Sequence, residues 1–342
     1  MLDRKSWILY TICMKRIGVI RGGISPEHEI SLKTGSAILR ALHGQLSHKY
    51  IPIDILIDRD GMWYMRGVPF DPRELSKKID VAVNALHGFY GEDGKLQKFL
   101  DDIQIPYTGS GALASAIAMH KGLAKEYFQK AGVQTARGIE IPYEAEYGSE
   151  HAKNFARDIW QRMGPPWIVK PITGGSSVGT HVCNTFDKLS SAIEENFENK
   201  NDILVEEFIT GREATVGVVN GYRGESLYVL PPIEIVKPAQ CSFFDFNAKY
   251  SGESQEICPG NFTPETKDEL VRLARLIHEE LGLHHYSRSD FIVHPRRGIF
   301  ALEVNTLPGL TEESLLPKAI VSIGGTFDDF IDHLICLAEK NT

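Results

Sequence analysis

The chain has 342 residues, 42% of them hydrophobic and 24% charged, with a formal net charge of −8. That length exceeds what one core ordinarily organises, so two or three domains are expected, and an acidic balance without a long basic run argues against nucleic acid as the main partner. The five cysteines (Cys13, Cys183, Cys241, Cys258, Cys336) are scattered without a CxxC pair, which suits a reducing compartment and neither a disulfide framework nor a zinc site.

Trp7 to Cys13 is an apolar run, far shorter than the roughly 20 residues a membrane span needs. Lys15 and Arg16 follow at once, with no small-residue cleavage pattern. Residues 1–13 are read as a loose extension or a start-codon artefact ahead of Met14, and no membrane partner is expected. Ile17 to Ile20 has the pattern of a buried strand. It runs through Arg21-Gly22-Gly23-Ile24-Ser25-Pro26-Glu27-His28-Glu29 into a helix with apolar positions at Ile30, Ala37, Ile38 and Leu42. A strand, a glycine turn and a helix start bring backbone N–H groups to a ligand. The dinucleotide spacing G-x-G-x-x-G is absent. Tyr50 to Asp54 and Val81 to Leu86 are strand-like, and the second leads into His87-Gly88-Phe89-Tyr90-Gly91-Glu92-Asp93-Gly94 and a helix over 95–100. This β-α-β-α alternation predicts a small parallel sheet with helices on its faces. Glu27 and His87 fall at the strands' C-terminal ends, where such sheets bind ligands.

Thr108 to Gly111 marks a boundary. An alanine-rich helix is expected over 112–129, carrying Lys121 and a solvated Lys125, and ending at Gly132. Residues 143–153 read as a loop and 155–163 as a short helix. The strand Trp167-Ile168-Val169-Lys170-Pro171, the glycine and serine loop over 172–179 and the returning strand over 180–183 describe a lid over nucleotide phosphates, because glycine-rich loops expose backbone donors. It is not a Walker loop, since the lysine precedes the glycines. Further strands are expected over 203–209, 213–219 and 227–235. The polar loop over 238–256, with Phe243, Phe244, Lys249 and Tyr250, is long enough to suggest function. Thr263-Pro264-Glu265 has a capping signal for a helix to about Leu281.

Ser287 to Val293 and Ile299 to Asn305 flank a Pro/Gly segment and predict a hairpin. Folded symmetrically about Arg296-Arg297, it sets Asp290 opposite Glu303 and Arg288 opposite Asn305, all four on one face. Facing carboxylates repel unless a cation lies between them, and an added amide oxygen completes a hard-ligand set suited to magnesium. A final helix runs to Ala338. The pieces describe a phosphoryl-transfer site on antiparallel strands, with Glu27 and His87 turned to an organic substrate: an enzyme that uses ATP to activate a carboxylate.

Gly22-Gly23-Ile24-Ser25-Pro26-Glu27-His28-Glu29-Ile30-Ser31, Leu86-His87-Gly88 with Gly91-Glu92-Asp93-Gly94, Tyr107-Thr108-Gly109-Ser110-Gly111, Val169-Lys170-Pro171 with Gly175-Ser176-Ser177-Val178-Gly179, Ala248-Lys249-Tyr250, Arg288-Ser289-Asp290 and Glu303-Val304-Asn305-Thr306-Leu307-Pro308-Gly309 occur in that order. Together they resemble the D-alanine–D-alanine ligase family of ATP-grasp enzymes, from about Lys15 to the C-terminus. The resemblance implies an α/β fold of three domains: an N-terminal small parallel α/β domain over 1–108, a central α+β lid domain over 109–209, and a C-terminal α+β domain with an antiparallel sheet over 210–342. It implies ATP-dependent joining of two D-alanine molecules through a D-alanyl phosphate, for peptidoglycan precursors, in a cytoplasmic homodimer using two magnesium or manganese ions. By similarity Glu27 binds the first ammonium, His87 lies near its carboxylate, and Ser176 links to Tyr250 and Glu27. Arg288 stabilises the oxyanion, and Gly309, Ser314 and Leu315 hold the second substrate. Lys121, Lys170, Lys249 and the flap residues Gly175, Ser176 and Ser177 clamp phosphates. Glu206, Glu207, Phe208 and Ile209 pass the adenine edge, and Glu213 reaches the ribose. Asp290, Glu303 and Asn305 carry the metal ions, Asn305 also touching the nucleotide. A tyrosine at 250 favours an amino acid as acceptor, with ligation to D-lactate, or to another D-amino acid, as one alternative and a non-catalytic nucleotide-binding regulator as the other.

Overall fold

The computed structural model describes residues 14–175, 178–236 and 255–340. Ser176, Ser177, Lys249, Tyr250, Phe243 and Phe244, and the extension over 1–13, lie outside the described residues.

The first sheet has the order β4-β3-β2-β1-β5. Strands β1 (Lys15–Gly22), β2 (Tyr50–Ile57) and β5 (Val81–Asn84) are parallel, with β1 central. Ile17, Val19 and Ile20 are fully buried, as expected for a strand covered on both faces. Helix α1 (His28–His43) packs on β1 through Ala37, Ile38, Ala41 and Leu42. The sheet is not purely parallel. A hairpin of β3 (Trp63–Met65) and β4 (Val68–Pro69) extends it antiparallel beside β2. Strands of three and two residues are too short to show a period of two, so this edge left no pattern to read. Helix α2 (Lys95–Asp102) follows the His87 turn.

The predicted helix over 112–129 is two helices, α3 (Ala112–Met119) and α4 (Lys121–Lys130). His120 stands between them in an extended conformation and its Nδ1 accepts from the Leu123 N–H at 3.2 Å, so one residue ends the first helix and caps the second. Both helices pack on the largest sheet, whose order is β13-β12-β10-β14-β15 with β11 also on β10. Its strands are β10 (Arg212–Asn220), β11 (Leu227–Val229), β12 (Ile233–Val236), β13 (Gln255–Ile257), β14 (Tyr286–His294) and β15 (Gly298–Asn305), all antiparallel. Pro231 and Pro232 divide the single strand expected over 227–235, since proline withholds a ladder donor. Helix α7 (Pro264–Glu280) begins as predicted, with Thr263 accepting from the Thr266 N–H at 3.3 Å. The final helix is also two, α8 (Leu315–Ser322) and α9 (Phe327–Lys340), parted at Gly324-Gly325.

A third sheet, β6 (Gly138–Ile141), β9 (Ile203–Glu207), β7 (Trp167–Pro171) and β8 (His181–Cys183) in that order, carries α5 (Ser149–Arg162) and α6 (Phe186–Glu198) over its own core. Helix α5 begins at Ser149, six residues before the start expected at 155, and β6 and α6 add to the elements expected from sequence. The first and largest sheets share a core instead: Ile17, Val81 and Val83 pack in one cluster with Tyr286, Leu316, Phe330 and Leu334.

Candidate active site

The β14–β15 hairpin turns over three residues, with His294 paired to Gly298, one position away from the symmetric folding about Arg296-Arg297. A bulge between Asp290 and Phe291 then shifts the register back, so Asp290 stands opposite Glu303 and Arg288 opposite Asn305. The extra residue is Leu302. The bulge thereby restores the expected pairing, which the three-residue turn alone would have displaced by one position.

Asp290 is held on three sides. Arg288 grips it with two bonds, Nε to Oδ1 at 3.0 Å and Nη2 to Oδ2 at 2.9 Å. The Asn305 amide donates to Oδ2 at 3.2 Å, and Thr215 on β10 donates to Oδ1. Burial works against the Arg288 charge, but Asp290, with Glu303 and Glu92 adding to it, holds the guanidinium pKa above its ordinary value. Among the described residues no group of three His, Cys, Asp or Glu side chains is gathered in metal-binding position.

The third sheet contributes Lys170 and Glu206. Glu206 is only 5% exposed and pairs with both Lys170 and Lys125. Burial alone would raise its pKa; the two ammonium groups outweigh that and hold it below the usual carboxylate range. Lys125 is thus buried and ion-paired, not solvated as read from sequence. Its spacing of four from Lys121 puts both on one side of α4, a signal that was present but read as surface charge. Glu207 turns the other way, toward the hairpin turn, where Arg297 binds it with bonds of 2.9 and 3.0 Å. The Arg137 N–H adds a third at 3.1 Å, and together they lower its pKa to about 2.

Lys121 ties the lid loop to α4: its Nζ donates to the Gly174 carbonyl at 2.7 Å and its backbone N–H to Ile172 at 2.9 Å. Gly175 brings the same loop to Glu27, since a Cβ there would lie 3.3 Å from Glu27 Oε2. Glu27 in turn sits over Gly88, whose φ of +67° and missing Cβ, which would fall 2.6 Å from Oε2, make glycine necessary. His87 is buried, bonded through Nε2 to Thr34 Oγ1 at 2.9 Å, with Nδ1 3.5 Å from Glu92. Glu92 also accepts from the Gly88 N–H at 3.0 Å. Ser314 Oγ accepts from the Thr311 N–H at 3.0 Å ahead of α8, and a Cβ on Gly309 would meet it at 2.9 Å. Lys318, one turn along α8, pairs with Glu256 at 2.9 Å and Glu313 at 3.2 Å.

One cavity of about 1530 Å³ collects most of these groups, with Thr34, Lys125, Arg137, Thr215 and Arg297 outside its lining. The first sheet and its loops supply Glu27, His87 and Glu92; the third sheet and its loops Lys170, Gly175 and the run 206–209; the largest sheet Glu213, Arg288, Asp290, Glu303 and Asn305. Lys121, Gly309, Ser314, Leu315 and Lys318 complete the wall. Glu92, Thr34, Thr215 and Lys318 carry no role expected from sequence. Glu92 lies inside a motif already singled out, while the others are ordinary polar residues whose meaning comes from their neighbours.

The family model described as D-ala D-ala ligase C-terminus matches residues 128–336, and that described as D-ala D-ala ligase N-terminus matches 66–110. A D-alanine–D-alanine ligase of Geobacter sulfurreducens is 39% identical over 328 residues, covering 95% of this chain and 94% of that protein. The Bacillus anthracis D-alanine–D-alanine ligase, solved complexed with ATP, superposes with a TM-score of 0.77 at 30% identity, covering 96% of this chain and 98% of that one. The VanG D-Ala:D-Ser ligase of Enterococcus faecalis superposes with a TM-score of 0.79 at 28% identity, covering 95% and 99%.

Proposed function

The chain belongs to the D-alanine–D-alanine ligase family, and from that premise we propose that it joins two D-alanine molecules with cleavage of ATP to ADP and phosphate. The observation that carries this reading is the facing pair Asp290 and Glu303 in the same cavity as Glu27, Lys121 and Lys170.

The first D-alanine lies against Glu27, whose carboxylate takes its ammonium group, with His87 toward its carboxylate. That carboxylate oxygen attacks the γ-phosphorus of ATP, and the β–γ bridging bond breaks to give the acyl phosphate and ADP. The amine of the second D-alanine attacks the acyl carbon, and phosphate leaves as the peptide bond forms. Arg288, fixed by its two bonds to Asp290, donates to the oxygen that gains charge at that carbon. Ser314, Leu315 and Gly309 receive the second carboxylate. Lys121, Lys170 and Lys249 hold phosphates under the lid loop with Gly175, Ser176 and Ser177. The run 206–209 borders the adenine, largely with backbone groups, and Glu213 the ribose. Ser176 and Tyr250, outside the described residues, are assigned to the Glu27 end of the site on the family resemblance alone.

The carboxylates of Asp290 and Glu303, opposed across adjacent strands, fit magnesium or manganese, which takes few protein ligands and completes its shell with phosphate oxygens; the Asn305 amide, whose nitrogen now donates to Asp290, would turn its oxygen to the ion. Asp290, Glu303 and Asn305 would hold two such ions, which neutralise phosphate charge when bound. We infer peptidoglycan precursor synthesis in the cytoplasm by a homodimer; no described helix is long and apolar enough to cross a membrane. We also assign the lid to the third sheet with α5 and α6, its lower boundary near 138 and not 109, because α3 and α4 pack on the largest sheet.

The test is phosphate release with D-alanine alone and with D-serine, D-lactate and L-alanine as second substrates, with the product identified by mass. D-alanyl-D-alanine as main product is expected. A main product carrying D-serine or D-lactate would reassign the acceptor, and ATP binding without turnover would leave only a nucleotide-binding regulator.

A further inference from the structure

Glu206 stands where two lysines meet one carboxylate. Lys170 pairs with Oε2 and lines the cavity; Lys125, buried and not among the residues that line it, pairs with Oε1 and donates a second bond to the Ala136 carbonyl at 2.6 Å. One carboxylate cannot neutralise two ammonium groups, so a surplus positive charge is buried here, and the side chain able to carry it into the cavity is Lys170. Should Lys170 leave Glu206 for another anion, Glu206 would still have Lys125. Without Lys125, the same movement would strand a buried carboxylate with no cation beside it.

We propose that Lys125 is a positioning residue for the nucleotide: it holds Glu206 in place so that Lys170 can exchange that carboxylate for a nucleotide phosphate. The inference rests on the ATP-dependent reading above. It accounts for a lysine buried where a solvated one would otherwise do, and for a carboxylate placed beside a phosphate-binding lysine. Lys170 is held still before the nucleotide arrives and released to it when it comes.

The test is ADP binding with magnesium by titration calorimetry on the full chain, together with steady-state ATP dependence. Lys125→Met leaves one cation beside one anion, and Lys125→Gln retains a donor for the Ala136 carbonyl. Both are expected to weaken ADP binding by about tenfold or more and to raise KM for ATP in parallel, with kcat at saturating ATP within about twofold of the parent. Adding Glu206→Gln to Lys125→Met removes the competing carboxylate and is expected to bring ADP affinity back to within about threefold of the parent. Variants that melt earlier but bind ADP like the parent would show a purely structural lysine and overturn the inference. A double variant as weak as Lys125→Met would do the same, since exchange would not be the cause. Failure of the parent chain to bind ADP at all would instead remove the ATP-dependent reading, and the inference with it.

Discussion

Glu303 and Asp290 pair across adjacent strands and both line the cavity, yet only Asp290 is fully engaged by neighbours, through Arg288, Asn305 and Thr215. Neutralising Glu303 therefore removes charge from the site without orphaning a buried donor. Glu303→Gln is expected to lower kcat by about a hundredfold or more while the melting temperature holds, as measured by phosphate release and calorimetric unfolding. Turnover at the parent rate would remove Glu303 from the site. Gly88 is a second single-residue dependence. Gly88→Ala sets a methyl group against Glu27 and Ser25 at a positive φ, so KM for D-alanine should rise by roughly tenfold or more and stability should fall by about 1 kcal/mol. An unchanged KM would mean that the Glu27 carboxylate is not fixed by this turn. Both residues were visible in the sequence, because glycine and acidic residues next to strand ends carry local chemistry. Lys125 is buried and not solvated as its sequence suggests, because burial of an amphipathic helix position depends on what packs above it.

The hairpin shows what an element adds to its residues. Period-two alternation put the four polar side chains of 288, 290, 303 and 305 on one face, but the turn and the bulge each displace the register by one, and only their sum aligns Asp290 with Glu303. The same turn presents Arg297 to Glu207 at the end of β9, linking the lid sheet to the largest sheet. Arg297, aided by the Arg137 N–H, pulls the Glu207 pKa below its usual 4.5 to about 2. A carboxylate with a depressed folded pKa adds stability that is complete above its unfolded value and is lost as pH falls toward the folded one. Arg297→Ala should therefore melt earlier than the parent near neutrality, and the gap should close as pH falls from about 4.5 toward 2. A gap independent of pH would assign the effect to Arg297 packing over Phe300 instead.

At the scale of the molecule, the cavity exists because three sheets converge, and the first and largest are joined through a common core and through the segment at 108–111. There the Gly109 N–H donates to His285 Nδ1 at 3.0 Å, which requires that nitrogen to be unprotonated. Burial, reinforced by His284 and His333, lowers the His285 pKa to about 4, and burial with His284 and His285 lowers that of His278 to about 3. Both lie below the usual 6.5, so the unfolded chain takes up protons first. Stability is full above about 6.5 and declines as pH falls toward those values. His285→Asn keeps an acceptor and tolerates the φ of +62° at this position, so its melting temperature should fall less steeply than the parent's between about pH 6.5 and 4. Parallel curves would show that His285 does not carry the dependence.

Sequence alone determined the class of chemistry and most of the cavity's groups, because strand alternation, glycine turns and capping residues act over a few positions and leave local marks. Tertiary structure alone decided that helix 112–129 breaks at His120, that β3 and β4 extend the first sheet, that Leu302 corrects the hairpin register, and that Lys125, Thr215 and Glu92 take part. Each of those depends on which surfaces meet across tens or hundreds of residues, and the energy of a buried charge or a register shift is set by neighbours that no local window contains.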